Sequence, residues 1–135
     1  MKTIRLTFLA LCGLLSFSLL QGCAGSGQTI KHGTTNVDVS SLTEPGQMLI
    51  TDEVEPDGTP ILVVRQQAGL YAAFSTKCTK DSCKLNVVNG NTLVCPCDKS
   101  QFDLQGQVTK GPATLPLKQY VTTASQNAQA ITVTY

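Results

Sequence analysis

Four cysteines lie in two tight groups in the second half of this 135-residue chain, and they constrain its fold more than any other feature. In the first group, Cys78 begins and Cys83 ends the segment CTKDSC at residues 78–83. The second group is CPC at residues 95–97. Clustered cysteines serve as metal ligands, as disulfides or as redox thiols. No histidine lies near either group, because the single histidine of the chain is His32. The choice among these uses depends on the compartment and on the spacing.

The first 22 residues are typical of an export signal. Lys2 and Arg5 form a basic start, residues 6–20 are a mostly apolar run, and small residues follow. The run is short for a membrane-spanning helix. Its end, LQGC at residues 20–23, resembles the lipobox of bacterial lipoproteins, which implies that Cys23 receives lipid and becomes the new N-terminus. An ordinary secretory signal or an uncleaved anchor is the alternative, and each places the remaining chain outside the cytoplasm.

The chain is therefore predicted to consist of a signal, a tether and one small domain. We expect a lipoprotein signal peptide at residues 1–22, a lipidated N-terminus and flexible tether at 23–36, and a folded domain at 37–135. By resemblance to lipoprotein sorting, Ala24 favours an outer membrane where one exists, with the domain facing the periplasm. His32 lies in the tether, where a single mobile ligand is not expected to hold a metal.

The charge balance argues against a nucleic-acid surface. Without Lys2 and Arg5 the chain has eight basic and nine acidic residues, and it has no Trp. The acidic side chains of residues 52–57 are expected in a solvated hairpin. No grouping of nucleophile, base and oxyanion donors predicts a hydrolase, so we expect no enzymatic activity from this chain on its own.

The folded part has the pattern of an all-β protein. Short runs of β-branched and aromatic residues alternate with turn residues, and no helical period is present. A domain of this size buries a modest core, so disulfides would help to stabilise it. Strands are predicted at residues 48–50, 61–64, 70–74, 84–88 and 92–95 and in the C-terminal segment, where Ile131, Val133 and Tyr135 alternate with threonines.

The segment from about residue 46 to 120 resembles the Rieske iron–sulfur domain, whose boxes read C-T-H-L-G-C and C-P-C-H-G-S-x-F-D. The resemblance implies a Rieske-like fold of short antiparallel strands with two cysteine-bearing loops. It also implies electron transfer through a [2Fe–2S] cluster at Cys78 and Cys95, and a disulfide between Cys83 and Cys97. The matching positions are Cys78, Thr79 and Cys83, then Cys95, Pro96, Cys97, Ser100, Phe102 and Asp103, and finally Gly106, Val108, Gly111, Pro112 and Ala113.

The chain departs from this family at the second iron. The two histidine positions hold Lys80 and Asp98, and the glycine positions beside them hold Ser82 and Lys99. A protonated lysine has no lone pair for iron, and deprotonating a lysine in water at pH 7 costs roughly 4.6 kcal/mol. Asp98 can bind iron as a hard anionic ligand, but an ion pair between Asp98 and Lys80 is the simpler expectation. A four-cysteine cluster or a zinc site is a further alternative, although the spacings fit neither plant-type ferredoxins nor paired C-x-x-C zinc ribbons.

Three functions follow from these departures. We favour a degenerate, disulfide-stapled Rieske-fold module without a standard cluster, which serves as a binding or structural module at the membrane. A second disulfide would then join Cys78 to Cys95, since the resemblance implies that these sulfurs share one iron. The alternative is electron transfer through a [2Fe–2S] cluster with non-standard ligands, in which Cys78 and Cys95 bind metal. The third is thiol redox chemistry by Cys95 with Cys97 or Cys78. Lipid on Cys23 is the expected membrane contact, and the redox or binding partner is not identified.

Overall fold

The computed structural model describes residues 33–135, and these residues form β-strands without any helix. The predicted signal peptide, Cys23, His32 and most of the tether lie outside the described residues. No helix able to span a membrane is found within residues 33–135. The strands are β1 (Thr34–Asp38), β2 (Met48–Glu53), β3 (Pro60–Gln67), β4 (Leu70–Ser75), β5 (Asn86–Val88), β6 (Thr92–Val94), β7 (Gln101–Phe102), β8 (Val108–Lys110), β9 (Gln119–Ala124) and β10 (Ala130–Thr134).

Two antiparallel sheets make up the fold. The large sheet has six strands in the order β1-β10-β9-β4-β3-β2, and the small sheet has four in the order β5-β6-β7-β8. The small sheet and its loops are inserted between β4 and β9, which are neighbours in the large sheet. The prediction of an all-β fold of short antiparallel strands is confirmed.

The centre of the large sheet is buried on both faces. Successive side chains of a strand point to opposite sides, so alternate residues of β3 enter different cores. Leu62 and Val64 join a core that also contains the small sheet, whereas Ile61 and Val63 join a second core under β1 and β10. This explains why β3 is a continuous apolar run rather than an alternating one.

Strand boundaries differ from the sequence predictions at several places. β1 begins at Thr34, because Thr34 pairs with Thr134 of β10 and the pairing continues to Asp38. The strand predicted at residues 84–88 is limited to β5. β1, β7, β8 and β9 were not predicted, since each is very short or places a single large apolar side chain in the core.

The small sheet is held close to the large one at a glycine. Gly106, in the turn between β7 and β8, has a φ of +74°, and a Cβ added there would lie 2.9 Å from the Phe74 ring of β4. Its carbonyl accepts a hydrogen bond of 2.8 Å from Leu117 N–H. This close approach brings the loops of the small sheet against the end of β4, where the first cysteine group begins.

Candidate functional site

The two cysteine groups form loops of the same local structure. In the first cysteine box, residues 78–83, Cys78 N–H donates to the Cys83 carbonyl at 2.8 Å, and Ser82 N–H donates back to the Cys78 carbonyl at 2.9 Å. In the second cysteine box, residues 95–100, the equivalent bonds are 2.8 Å and 3.0 Å. Each box is therefore a compact loop that begins with a cysteine and turns back within six residues.

Both boxes turn through a left-handed residue. Ser82 has a φ of 57° and Lys99 a φ of 67°, and each is the residue whose N–H returns to the first cysteine of its box. This conformation favours glycine, because a Cβ crowds the following carbonyl oxygen. Both turns adopt the left-handed conformation although neither residue is a glycine. The contacts around each loop therefore determine its shape.

Two thiols and one carboxylate converge between the boxes. Cys78 is 2 % exposed and Cys95 is 0 % exposed, and both belong to the core that contains the small sheet. The Cys78 thiol donates to Asp98, with 3.9 Å from Sγ to Oδ2. The Sγ atoms of the two cysteines and a carboxylate oxygen of Asp98 all lie within 4.8 Å of one another. This spacing allows all three atoms to bind one metal centre.

Asp98 is held as an anion beside the two thiols. Partial burial alone would raise the pKa of Asp98, but hydrogen bonds from Ser100 and Cys95 and the charge of Lys80 lower it to about 2. The Ser100 N–H donates to Oδ1 at 2.8 Å and fixes the carboxylate. Burial raises the pKa of the Cys95 thiol; the backbone N–H groups of Asp98 and Cys97 oppose this shift, and the side chains of Cys78 and Asp98 add to it. Without a metal the thiol is therefore a weak nucleophile, because the thiolate is the reactive form.

The other two cysteines of the boxes form a disulfide. Cys83 and Cys97 form a disulfide with a Cα–Cα distance of 6.4 Å, which ties the first box to the second. Cys78 and Cys95 are free thiols, so the second disulfide considered from the sequence is not formed in this structure. The thiol pair proposed between Cys95 and Cys97 is also not available, since Cys97 is bonded to Cys83.

Lys80 does not make the predicted ion pair. Its side chain is exposed, and the ion pair found within residues 33–135 joins Lys77 to Asp57 instead. Lys80 acts on Asp98 through its charge at longer range. The predicted contact between Lys80 and Asp98 is therefore wrong, because Asp98 turns inward to Ser100 and to the thiols.

A third loop, residues 111–117, is fastened to both boxes. The fully buried Ser100 accepts a 2.8 Å hydrogen bond at Oγ from Ala113 N–H. Thr79 of the first box donates from Oγ1 to the Leu115 carbonyl at 2.8 Å. This role of Thr79 was not predicted from the sequence. The sequence features that could have indicated it are a hydroxyl side chain in each box and two prolines in the loop. These hydrogen bonds therefore join the three loops into one tip around the site.

The site thus consists of two looped boxes on an all-β fold, each beginning with a buried cysteine whose sulfur can bind a metal. The family model of the Rieske [2Fe-2S] domain matches residues 35–121. The chain belongs to the Rieske [2Fe-2S] domain family, which normally binds a [2Fe–2S] cluster.

Individual relatives agree with this assignment. The iron–sulfur subunit 1 of the cyanelle cytochrome b6-f complex of Cyanophora paradoxa is 34% identical over 101 residues, which are 71% of this chain and 42% of that protein. The corresponding subunit of Chlorobaculum thiosulfatiphilum is 38% identical over 60 residues, which are 44% of this chain and 33% of that protein. The chain thus spans less than half the length of these two relatives.

A solved structure covers the domain more completely. The plasma membrane Rieske protein PetC3 from Synechocystis PCC 6803 superposes with a TM-score of 0.57 at 32% identity. The match covers 73% of this chain and 97% of the PetC3 chain. The similarity therefore concerns a whole Rieske domain rather than a fragment of one.

Three side chains of the tip can serve as ligands of a [2Fe–2S] cluster, which has four protein ligands. In a Rieske centre two cysteine sulfurs bind one iron and two histidine nitrogens bind the other. Cys78 and Cys95 offer the two sulfurs, and Asp98 offers an ionised oxygen on the same side of the site. Residues 33–135 contain no histidine, so any nitrogen donor there would have to be a lysine or the backbone.

Proposed function

We propose that this protein is an exported, membrane-anchored electron carrier with a [2Fe–2S] cluster whose ligands are not the standard set. Cys78 and Cys95 would bind one iron, and Asp98 would replace one of the two histidines at the other; Lys80 stands at the second histidine position. The observation that carries the proposal is the convergence of two free, buried thiols on one ionised carboxylate. Electron transfer is thereby favoured over the cofactor-free module preferred from the sequence alone.

The surrounding residues have separate tasks in this proposal. A [2Fe–2S] cluster supplies the uptake and release of one electron. The burial of Cys78 and Cys95 keeps water from the sulfurs, and the disulfide between Cys83 and Cys97 keeps the two boxes together. Ser100 N–H orients Asp98. Ligands held in place by such outer contacts need little rearrangement when the charge of the centre changes.

The relatives support a role in electron transfer. Proteins named as iron–sulfur subunits of cytochrome b6-f complexes match at 34–38% identity over the aligned residues. Because this chain spans less than half of their length, we carry over the class of chemistry and not their complex. The protein is proposed as an electron-transfer component and not as an enzyme on its own.

Metal analysis tests the proposal directly. The full chain is produced in cells with an active cluster-assembly pathway, purified anaerobically in detergent, and measured for iron, acid-labile sulfide, visible absorption and EPR. We expect equal amounts of iron and sulfide, near two per chain as in a [2Fe–2S] cluster. Cys78→Ser or Cys95→Ser should abolish this content, and Asp98→Asn should reduce it. Asp81→Asn is the matched control, because Asp81 is an exposed carboxylate of the first box.

A second function is favoured by a different observation. Lys80 is exposed and no histidine lies in residues 33–135, so the second iron lacks the nitrogen donors usual in the family. A cofactor-free, disulfide-stapled binding module is then the alternative. A folded protein with the Cys83–Cys97 disulfide and without iron or sulfide would establish it and reject electron transfer. In that event Lys80→His with Asp98→His shows whether the loops still accept a cluster once both imidazoles return.

We also propose the domain organisation and the membrane anchor predicted from the sequence. The signal peptide is residues 1–22, Cys23 carries the lipid, and the tether leads to the folded domain. The lipobox-like segment at residues 20–23 supports this, and so does the membrane location in the name of the plasma membrane Rieske protein PetC3. Cys23→Ser should move the protein from the membrane fraction to the soluble fraction. Equal partitioning of both forms would reject a lipid anchor at Cys23.

A further inference from the structure

Charge is divided unevenly along the folded part of the chain. Residues 33–76 carry six acidic side chains and one arginine, whereas residues 77–118 carry six lysines and three aspartates. The second segment contains both cysteine boxes, the small sheet and the loop at residues 111–117. The part of the molecule that carries the site is therefore positive, whereas the acidic residues lie on the edge strands β1 and β2 of the large sheet and in the neighbouring loops.

The positive charge reaches the tip. Lys80 lies in the first box and Lys99 in the second, and both are exposed. Lys80 follows Thr79, which is hydrogen-bonded to the third loop, and Lys99 lies in the second box, which the Cys83–Cys97 disulfide ties to the first. Lys99 Nζ also donates to the Pro96 carbonyl at 2.9 Å, so this ammonium group is folded against the surface of its own box. The two lysines thus border the same site from its two loops.

An apolar contact lies beside these lysines. Leu115 is 63 % exposed, and its carbonyl accepts a hydrogen bond from Thr79 Oγ1, next to Lys80. Pro116 beside it and Pro96 in the second box are exposed as well. Protein docking surfaces commonly combine an apolar centre with charged residues at the rim. We define the basic tip as Lys80, Pro96, Lys99, Leu115 and Pro116.

We infer that the basic tip docks a partner protein with an acidic surface around an apolar contact. As a site of electron exchange this inference rests on the proposed function, since the tip covers the two thiols. An anionic membrane fits less well, because segments that bind such membranes usually present clusters of four to eight basic residues. The tip instead pairs two lysines with a fixed leucine. Opposite charge at a rim accelerates and orients encounter with a protein partner, and this effect weakens as salt rises.

The test uses the full chain in neutral detergent and a defined probe. A peptide of alternating Glu and Asp with a central Leu carries a neutral fluorophore, and binding is followed by fluorescence anisotropy from 20 to 200 mM salt. A Gln/Asn peptide of the same length is the uncharged control. We expect binding of the acidic peptide alone, weakening with salt. Lys80→Gln with Lys99→Gln should lower affinity by roughly five- to thirtyfold at low salt, and Leu115→Ser should lower it further.

A matched pair of variants separates local from overall charge. Gln67→Glu with Gln126→Glu changes the net charge by the same amount at exposed positions of the large sheet and its β9–β10 turn. Affinity within about twofold of wild type supports a site at the tip. Equal losses in both pairs or no binding would each reject it, and so would binding of the Cys23→Ser chain, without detergent, to phosphatidylglycerol vesicles more tightly than to the peptide. Peptide binding does not require a cluster, so a protein without iron that still binds rejects only the electron-transfer proposal.

Discussion

Replacing Ser82 or Lys99 by glycine should increase the free energy of unfolding of the protein. Both residues are left-handed, with φ of 57° and 67°, and a residue with a Cβ loses about 1–2 kcal/mol in this conformation. Glycine avoids this loss, but its greater freedom in the unfolded chain offsets about 0.4–1 kcal/mol. The net gain at Ser82 is therefore about 0–1.6 kcal/mol, centred near 0.8 kcal/mol. It is smaller at Lys99, because the exposed hydrogen bond to Pro96 is lost as well.

Alanine variants isolate the backbone effect. Ser82→Ala and Lys99→Ala remove the same side-chain atoms beyond Cβ but keep the crowding, so each glycine variant should be more stable than its alanine counterpart. Urea unfolding with the disulfide intact gives the difference, and a gain of 1 kcal/mol would raise Tm by about 4–8 °C. Ala128→Gly, at φ 54° in the turn before β10, should show a similar gain away from the site. Glycine variants no more stable than alanine would refute the reasoning.

Three further outcomes are expected from the same structure. Replacing Cys83 and Cys97 by alanine should lower the free energy of unfolding by roughly 3 kcal/mol, because the bond closes a loop with a sequence separation of 14; unfolding with and without the disulfide measures this. Ser100→Ala should cost about 1–3 kcal/mol in urea unfolding, since the Ala113 N–H loses its buried acceptor. Burial raises the pKa of Tyr120 above its ordinary value of 10.0. The protonated side chain therefore contributes fully to the free energy of unfolding below about pH 10, and this contribution is lost as pH rises further. Tyr120→Phe should therefore flatten the alkaline loss of stability.

The centre of the fold could be predicted from the sequence because its strands carry their own signal. β3 is an apolar, β-branched run, and it lies in the middle of the large sheet as expected. β1 carries no such signal, since Val37 is its single buried side chain. Its place is set by pairing with β10, nearly a hundred residues away, and a local pattern cannot show that pairing.

The site was predictable in its residues and less so in its contacts. The spacing and the resemblance identified Cys78, Cys95 and Asp98, but their convergence depends on how two separate loops pack. Asp98 was expected to meet Lys80, and it turns instead to Ser100 N–H and the thiols. Its preference follows from burial: an inward carboxylate needs donors nearby, and the box backbone provides one at 2.8 Å.

The donor set also predicts the reduction potential of a bound cluster. Exchange of two thiolates for two neutral imidazoles is what places Rieske centres at about −150 to +300 mV, well above the plant-type value near −400 mV. Asp98 is anionic with a pKa of about 2, so it adds charge where an imidazole adds none and favours the oxidised form.

We therefore expect a potential below −150 mV, although the positive charge of Lys80 offsets part of the shift. Potentiometric titration followed by EPR measures it, and Asp98→His should raise it. A wild-type potential inside the Rieske range, or a lower potential in Asp98→His, would show that Asp98 does not bind the iron. Lys80→Gln distinguishes the effect of Lys80 on the potential from that of Asp98. Loss of a cation near the centre should lower the potential further without changing the iron content.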